Sequence, residues 1–333
     1  MSITEEKLNL LRQIIGGAPK KIALLSHTNP DGDTIGAALA WRSYLERLGH
    51  TTCCIAPNRY PYFLEWMTDI GHIGVFKEDH DGEADVIFCM DFNQINRLDR
   101  VTDTVTANTT AVRVLIDHHL HPPVDGYAVQ FSDTHACSTS YIVYQLLETL
   151  AGTDAIDQAM AESLYVGIMT DTGNFSFSSL TSDLFRAVAV LIDKGVNVPY
   201  VNSSVYNNFS EGRMRLLGYM LNDKMVTDYE FGVAYVSLTE EEMRRFDFIQ
   251  GDSEGFVNYP LSIRGIRMSA MFIQTKHSIR VSLRSRGEVD VNVFARRYFD
   301  GGGHRNAARG KSYVPMNETL ENFRKYLREY FGA

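Results

Sequence analysis

Between residues 21 and 33 the chain reads Lys21-Ile22-Ala23-Leu24-Leu25-Ser26-His27-Thr28-Asn29-Pro30-Asp31-Gly32-Asp33. A short run of mostly apolar residues leads into a loop that carries one imidazole and two carboxylates. The run has the length and composition of a β-strand, and residues 33–48 continue with a helical pattern. The stretch therefore predicts a buried strand whose carboxyl end holds polar side chains suited to binding a metal ion.

Two further strand-like runs end in the same way. Residues 84–90 are followed by Asp91, and residues 111–116 are followed by Asp117-His118-His119. A fourth group, Asp171-Thr172-Gly173, follows a helical pattern. In an open parallel sheet, ligands collect beyond the carboxyl ends of the strands, so we expect these four groups to converge.

The order of the predicted elements indicates an α/β fold. A leading helix at about 5–16 precedes the first strand, and the next strand is predicted at 51–55. Helical spacing predicts helices over 139–150, 156–170 and 182–194. This alternation predicts a doubly wound, mainly parallel sheet.

The length of the chain and the change in predicted secondary structure along it indicate two domains. The 333 residues exceed the usual size of one domain, which is roughly 100 to 200 residues. Turn residues begin after Gly195, and β-rich runs begin at about 225. We expect a catalytic domain at 1–195, a linker at 196–222 and a smaller α+β domain at 223–333, with the active-site cleft between the two domains.

Composition excludes several classes of protein. Hydrophobic residues make up 44% and charged residues 22%, as in globular proteins, and no apolar run approaches the roughly 20 residues of a membrane span. The N-terminus lacks the pattern of a signal peptide. The four cysteines have no paired CxxC spacing, so we interpret them as reduced structural thiols. A cytoplasmic protein without a membrane partner is expected.

The formal net charge of −9 argues against binding to double-stranded DNA, because that binding depends on many Lys and Arg contacts to the backbone. A nucleic-acid substrate would have to be recognised by a local cationic pocket. Short single-stranded RNA or a single nucleotide meets this condition.

The residue types in the first loop favour a hard divalent cation. Asp31 and Asp33 flank Gly32, so both carboxylates can project from one tight loop, and His27 can close back on the same point. Carboxylate oxygens with imidazole suit Mn²⁺ or Mg²⁺ better than a structural zinc. An Asn-Pro-Asp-Gly sequence by itself is also an ordinary turn.

The other groups add different evidence. Asp91 alone is weak, because a carboxylate that caps the next helix is equally common. Asp117-His118-His119 offers a metal ligand, a phosphate contact and an orienting carboxylate, with a polar loop as the alternative. Asp171 ends a helix, where the dipole disfavours a carboxylate, and a bound dication would remove that conflict.

These residues resemble the DHH phosphoesterase superfamily, which is named for the triplet found here at 117–119. Its four N-terminal motifs match in order. Its C-terminal associated domain is matched by Arg284-Ser285-Arg286 and by Gly301-Gly302-Gly303-His304-Arg305-Asn306-Ala307-Ala308, with Asp300 where the family commonly has a further glycine. The two-domain layout is similar to the group of nano-RNases and phosphoadenosine-phosphate phosphatases, whose members are often described as exopolyphosphatase-related.

The resemblance implies a role for each matching residue. Two divalent ions are expected, with Mn²⁺ first and Mg²⁺ or Co²⁺ as alternatives. One ion would bind His27, Asp31 and Asp91, and the other would bind Asp33, Asp91, His118 and Asp171. His119 would lie beside the scissile phosphate, with Asp117 supporting it and Asp91 bridging the ions. The substrate would be bound by Arg284, Ser285, Gly301, Gly302, Gly303, His304 and Arg305.

The predicted function is metal-dependent hydrolysis of very short oligoribonucleotides to mononucleotides by a water that two metals activate. Phosphatase activity on 3′-phosphoadenosine 5′-phosphate is a second expectation. The alternatives are a linear or cyclic dinucleotide phosphodiesterase, a RecJ-like single-strand exonuclease and a polyphosphatase. A nucleotide sensor without catalysis would have lost metal ligands, and every expected ligand is present. The sequence leaves a homodimer open.

Overall fold

The structure is a computed structural model that describes residues 3–77, 83–176 and 180–332. The chain divides into two compact units, Met1–Asn208 and Phe209–Ala333. Each unit has its own sheet. The prediction of an α/β fold with a second, smaller α+β domain is confirmed.

The sheet of the first unit is parallel throughout its described strands. Their order across the sheet is β3-β2-β1-β4-β5-β6. The strands are β1 (Lys21–Leu25), β2 (Thr51–Ala56), β3 (Ile73–Val75), β4 (Val86–Met90), β5 (Val112–Asp117) and β6 (Val129–Ser132). The strand order reverses between β1 and β4, which is where a crevice for ligands opens in a doubly wound sheet. The short strands β3 and β6 had not been predicted.

Helices cover both faces of this sheet. They are α1 (Glu5–Ile15), α2 (Gly32–Arg47), α3 (Thr102–Ala107), α4 (Thr139–Ala151), α5 (Gln158–Asp171), α6 (Ser182–Asp193) and α7 (Val198–Tyr206). Side chains alternate along each strand, so Ile22 and Leu24 join the core that contains Trp41, while Ala23 and Leu25 join the core on the opposite face. Burial on both faces explains why the strands read as continuous apolar runs.

Glycines allow α5 to pack closely against α2 and α4. A Cβ on Gly36 would overlap the carbonyl oxygen of Ser163, and a Cβ on Gly167 would overlap the side chain of Ser140. Gly32 faces Thr170 in the same way. The close approach brings the first turn of α2 next to the last turn of α5.

The segment expected to be a linker, 196–222, contains two helices. Helix α7 begins at Val198, and Pro199 lies in its first turn, where a missing N–H is not needed by the helix. Helix α8 (Glu211–Tyr219) follows, and a π-helical turn (Met220–Lys224) completes it. The division between the units falls between these helices, after Asn208.

The second unit contains a mixed sheet. The strand order is β11-β12-β10-β9-β8-β7, with β8 and β9 parallel and the other described pairs antiparallel. Its elements after α8 are β7 (Val226–Asp228), β8 (Val233–Leu238), α9 (Glu240–Arg244), β9 (Met268–Gln274), β10 (Ile279–Ser285), α10 (Val291–Tyr298), β11 (Gly302–His304), β12 (Ala307–Ser312) and α11 (Met316–Phe331). Phe294 and Phe323 from α10 and α11 pack on one face of the sheet, against Phe272.

In the described part of the chain, no helix combines the length and the apolar character that crossing a membrane requires. All four cysteines are free thiols, and Cys54, Cys89 and Cys137 are buried. The expectation that they are reduced thiols therefore agrees with the structure.

Replacing Gly36 with Ala should destabilise the first unit by about 1 to 3 kcal/mol, because the added methyl group meets backbone that cannot move aside cheaply. Urea unfolding followed by circular dichroism measures the change. Gly218→Ala in α8 is the control, since its Cβ would have no neighbour within 4 Å and should leave stability equal or slightly higher. Equal unfolding midpoints for the two variants would contradict the packing argument.

Candidate active site

Four polar groups meet beyond the carboxyl ends of β1, β4 and β5, as the sequence predicted. His27 and Asp31 lie in the loop after β1, and Asp91 directly follows β4. β5 ends at Asp117 and leads into two histidines, and the last residue of α5 is Asp171. Because the strands are parallel, their ends share one edge, and the side chains converge there.

The loop after β1 shapes the first group. Asp31 caps α2, and its Oδ1 accepts hydrogen bonds from the backbone N–H groups of Asp33 (3.2 Å) and Thr34 (3.3 Å). Its other oxygen, Oδ2, lies 3.8 Å from Nε2 of His27. One oxygen therefore starts the helix, while the other faces the site.

His27 is held in the orientation of a metal ligand. Its ring is buried, and Nδ1 donates a hydrogen bond to the carbonyl oxygen of Thr28 at 2.9 Å. This leaves Nε2 as the acceptor nitrogen in the neutral ring, 3.3 Å from Oδ2 of Asp91. A hydrogen bond on the far nitrogen is the usual way in which proteins fix a ligating histidine.

Asp91 lies between two groups of ligands. Its Oδ2 faces His27, while its Oδ1 lies 3.5 Å from Nε2 of His118 and accepts a hydrogen bond from Thr139 Oγ1 at 2.9 Å. Burial raises the pKa of Asp91, but the neighbouring imidazoles of His27, His119 and His118 outweigh it, so the pKa lies far below its ordinary value. The backbone of Asp91 has a φ of +65°, in the left-handed region, and strain of this kind gathers at functional sites.

Asp33 is buried against the first turn of α4. Its Oδ2 accepts a hydrogen bond from the backbone N–H of Thr139 (2.7 Å), and its Oδ1 accepts one from that of Ser140 (2.8 Å). The positive end of the helix dipole favours a carboxylate there. Even so, burial and the charges of Asp91 and Asp171 raise the pKa of Asp33 well above its ordinary value.

His118 connects the acidic residues. Its Nδ1 donates to the carbonyl oxygen of Ala136 at 3.3 Å, and its Nε2 lies 3.3 Å from Oδ2 of Asp171 and 3.8 Å from Oδ2 of Asp33. Burial lowers the pKa of His118, but the charges of Asp171, Asp91 and Asp33 outweigh it and raise the pKa to about 9. The carboxylates around this imidazole therefore favour a positive charge at this position.

His119 is oriented by Asp117 and Arg97. Its Nδ1 donates to Oδ1 of the buried Asp117 at 2.7 Å, and its Nε2 accepts a hydrogen bond from Nη1 of Arg97 at 3.0 Å. Burial is the main cause that lowers the pKa of His119, and the charge of Arg97 adds to it. With Nδ1 donating to Asp117 and Nε2 accepting from Arg97, these two neighbours set the tautomer of the ring.

Two compact sets of donor atoms consist entirely of predicted metal ligands. In one, ligand atoms of His27, Asp31 and Asp91 all lie within 4.8 Å of one another; in the other, those of Asp33, His118 and Asp171 do. Oxygen-rich sets with one imidazole each suit hard or borderline divalent cations. Carboxylate oxygens of Asp33, Asp91 and Asp171 all lie within 3.8 Å of Nε2 of His118, so the residues present fit a bound dication.

Three contributors to the site had not been predicted. Arg97 lies in the 3₁₀ segment Ile95–Val101, and its carbonyl oxygen accepts a hydrogen bond from Thr28 N at 2.8 Å. Thr139 and Ser140 read in the sequence only as the start of a helix. The only sequence signal for a role of Arg97 was its position in a polar segment, six residues after a strand-end aspartate.

Arg284 and Ser285, which had been predicted to bind substrate, lie on β10 of the second unit. Arg284 is partly buried and donates through Nη1 to the carbonyl oxygen of Leu283 at 3.0 Å. Ser285 is buried, donates to the carbonyl oxygen of Val289 at 2.7 Å and accepts from Asn306 at 2.8 Å. These contacts place Ser285 in the framework of the turn after β10.

The glycine-rich stretch has a packing role within the second unit. A Cβ on Gly301 or Gly303 would overlap the backbone of β12, and the N–H of Gly303 donates to Asn292 Oδ1 at 3.0 Å. Gly302 and His304 complete β11, and the side chain of Arg305 pairs with Glu288 at 2.7 Å. Close approach of two strands accounts for the first and third glycines.

Two family profiles match the chain. The profile described as DHH family, N-terminal domain, matches residues 21–168, and the profile described as DHHA1 domain matches residues 229–333. The first contains all the strand-end motifs before Asp171. The second contains the basic and glycine-rich motifs of the second unit.

Proteins of similar length and known name also match. The bifunctional oligoribonuclease and PAP phosphatase NrnA of Bacillus subtilis is 28% identical over 88% of this chain and 89% of that protein. The protein of the same name from Thermus thermophilus is 26% identical over 97% of this chain and 94% of its own length. A crystal structure of an exopolyphosphatase-related protein from Bacteroides fragilis is 36% identical, with a TM-score of 0.91 over 98% of this chain and 97% of that one.

Proposed function

The chain belongs to the DHH family of phosphoesterases, and from this premise we propose that it hydrolyses very short oligoribonucleotides to mononucleotides. We propose the 3′-phosphate of 3′-phosphoadenosine 5′-phosphate as a second substrate group. The position of Asp91 carries the proposal, because each of its two oxygens faces a different set of metal ligands. The two NrnA relatives, which match over almost their whole length, support the choice of substrate.

Two divalent metal ions would be held by the residues described above. His27, Asp31 and Asp91 would bind one ion, and Asp33, Asp91, His118 and Asp171 would bind the other. Mn²⁺ is the ion we propose, with Mg²⁺ and Co²⁺ as alternatives, since oxygen and imidazole donors accept all three. When bound, such ions lower the pKa of a water molecule and neutralise charge that develops on phosphoryl oxygens.

His119 and Arg97 would bind the scissile phosphate. Asp117 fixes the ring of His119, and the guanidinium of Arg97 lies against Nε2 of that ring at 3.0 Å. Arginine donates parallel hydrogen bonds that match a phosphoryl group, so Arg97 can add a charged donor beside the metal ligands. Asp117 therefore acts through His119 as a positioning residue.

The second unit would hold the remainder of the substrate. Arg284 and His304 supply donors for a phosphate or a ribose, and Arg305 and the glycines of β11 complete the proposed set. Ser285 would contribute by holding the turn after β10, given its buried hydrogen bonds. A substrate of a few nucleotides suits a chain with a net charge of −9, because only local positive charge is needed.

The metal sites can be counted by equilibrium dialysis with Mn²⁺. The wild-type chain should bind two ions, Asp171→Asn should bind one, and Asp91→Asn should weaken both sites, because Asp91 serves both sets of ligands. Asp103→Asn, at an exposed position of α3, is the control with the same charge change. A single ion in the wild-type protein, or two ions in Asp171→Asn, would contradict the assignment.

The substrate class can be tested by release of mononucleotide from a labelled RNA dinucleotide in Mn²⁺. Fast cleavage that is lost in Asp91→Asn is expected, with slow cleavage of a long oligonucleotide. Parallel reactions contain 3′-phosphoadenosine 5′-phosphate, a cyclic dinucleotide and polyphosphate. Activity on polyphosphate or on the long strand alone would replace the proposed substrate. No activity on any of them would favour a nucleotide sensor.

Arg97→Gln should lower kcat for the dinucleotide by about a hundredfold, since it removes a charged donor to the transition state. Mn²⁺ binding should stay unchanged, because Arg97 is not among the proposed ligands. The control is Arg100→Gln in the same 3₁₀ segment, where the guanidinium instead donates to the carbonyl oxygen of Pro57 at 2.8 Å. An unchanged kcat in Arg97→Gln would exclude this role.

A further inference from the structure

One end of the second unit's sheet carries arginines where the rest of the same face is apolar. On β10, Val281 and Leu283 point into the core beneath α10 and α11, so Arg280 and Arg284 point to the opposite face. Arg309 on β12 lies directly across from Ser282, between these two arginines in the register, and therefore shares their face.

The remainder of this face packs as an ordinary core. Val236 and Leu238 of β8 and Met271 and Ile273 of β9 contact α8 and the 3₁₀ segment Phe256–Ser262. The change from apolar to cationic side chains falls between β9 and β10. Three guanidinium groups thus lie together on one face of a unit within an acidic chain.

These arginines affect one another. Burial lowers the pKa of Arg280, and the neighbouring charge of Arg309 lowers it further. Arg280 donates through Nη2 to Ser253 Oγ at 2.9 Å, while its Nε is buried and has no hydrogen-bond partner within the described ranges. Like charges on neighbouring strands repel one another, and an anion that binds among them offsets this repulsion.

Glu254 is the nearest anion. Its Oε1 lies 3.8 Å from Nη2 of Arg309, which is within reach of charge attraction but longer than a hydrogen bond. The charges of Arg309, Arg284 and Arg280 hold the pKa of the Glu254 carboxyl below its ordinary value. The side chains of Arg309 and Glu254 are 39% and 49% exposed, so a ligand in solution can reach both.

The backbone around Glu254 is held in place by Arg213. The guanidinium of Arg213 lies over the rings of Phe209 (3.8 Å) and Phe256 (4.8 Å). It donates to the carbonyl oxygen of Asp252 and, at 3.0 Å, to that of Glu254. The backbone that carries Glu254 is therefore held by hydrogen bonds, while the side chain of Glu254 is half exposed.

We propose that Arg280 and Arg309 form a subsite for a terminal phosphate of the substrate, distinct from the phosphate that is hydrolysed, and that Glu254 is an internal counter-ion which this phosphate displaces. A phosphate offers more charge and more acceptor oxygens than one carboxylate, and arginine pairs with it in a planar, two-point geometry. The inference rests on the proposed function for the identity of the substrate, but the arginines and Glu254 all lie within the second unit.

Binding of the dinucleotides pApA, ApAp and ApA to the full chain in EDTA tests the subsite without turnover. Calorimetry should show that pApA or ApAp binds the wild-type protein more tightly than ApA. Arg309→Gln should weaken that binding about tenfold, since a hydrogen-bonded charge is lost. Glu254→Gln should strengthen it about fivefold, since a competing charge is removed. A gain in affinity cannot come from misfolding.

The exposed ion pair between Arg297 and Glu329 supplies matched controls. Arg297 and Glu329 lie on α10 and α11, which cover the opposite face of the sheet. Arg297→Gln and Glu329→Gln make the same charge changes and should leave the affinity for the terminal phosphate unchanged.

The proposal is overturned if neither terminal phosphate increases affinity, if Glu254→Gln weakens binding, or if the control variants shift it equally. Because metal is absent from this experiment, a chain that binds pApA through Arg309 yet cleaves no dinucleotide would retain the subsite and lose the proposed function. A chain that cleaves dinucleotides but binds them equally well with and without a terminal phosphate would retain the proposed function and lose the subsite.

Discussion

Repulsion among carboxylates that share one buried site is the constraint on which the first unit depends. Ionised groups removed from water are unstable unless opposite charge or hydrogen-bond donors surround them. The structure supplies two imidazoles and the first turn of α4, whose N–H groups hold Asp33 at 2.7 and 2.8 Å. Burial and the charges of Asp91 and Asp171 still raise the pKa of Asp33, so these donors offset its desolvation and repulsion only in part. A bound cation would therefore stabilise this region of the fold.

The fold satisfies this constraint by bringing distant parts of the chain to one edge. The parallel strands direct three loops to the same side, and the reversal of strand order between β1 and β4 brings His27 next to Asp91, with Nε2 and Oδ2 3.3 Å apart. Small residues at Gly36 and Gly167 let α2 and α5 approach closely enough for Asp33 and Asp171 to share His118. The chemistry of the site is therefore fixed by backbone packing as much as by its polar side chains.

The sequence predicted the parallel sheet and the convergence of the strand-end residues because short continuous apolar runs and the polar residues that follow them are local patterns. It did not predict the roles of Arg97, Thr139 and Ser140. Their hydrogen bonds in the site are made to residues that lie 22 to 107 positions away in the sequence. The edge strands β3 and β6 are too short to give a periodic signal. Turn residues near Pro199 suggested a linker, yet proline is also favoured in the first turn of a helix, and tertiary packing decides between the two. The arginines on β10 and β12 become a cluster only when the register is known.

The left-handed backbone of Asp91 restricts how this chain can change over evolutionary time. Aspartate, asparagine and glycine tolerate a φ of +65° far better than other residues do. Aspartate and asparagine codons differ by a single base, so Asp91→Asn is a one-step change that keeps the loop while removing the charge shared by both ligand sets. Asp91→Asn is the shortest route to a descendant that keeps the fold for binding nucleotides but no longer hydrolyses them. A single base change at the Asp91 codon thus keeps the backbone conformation of the loop but removes the carboxylate that the proposed chemistry needs.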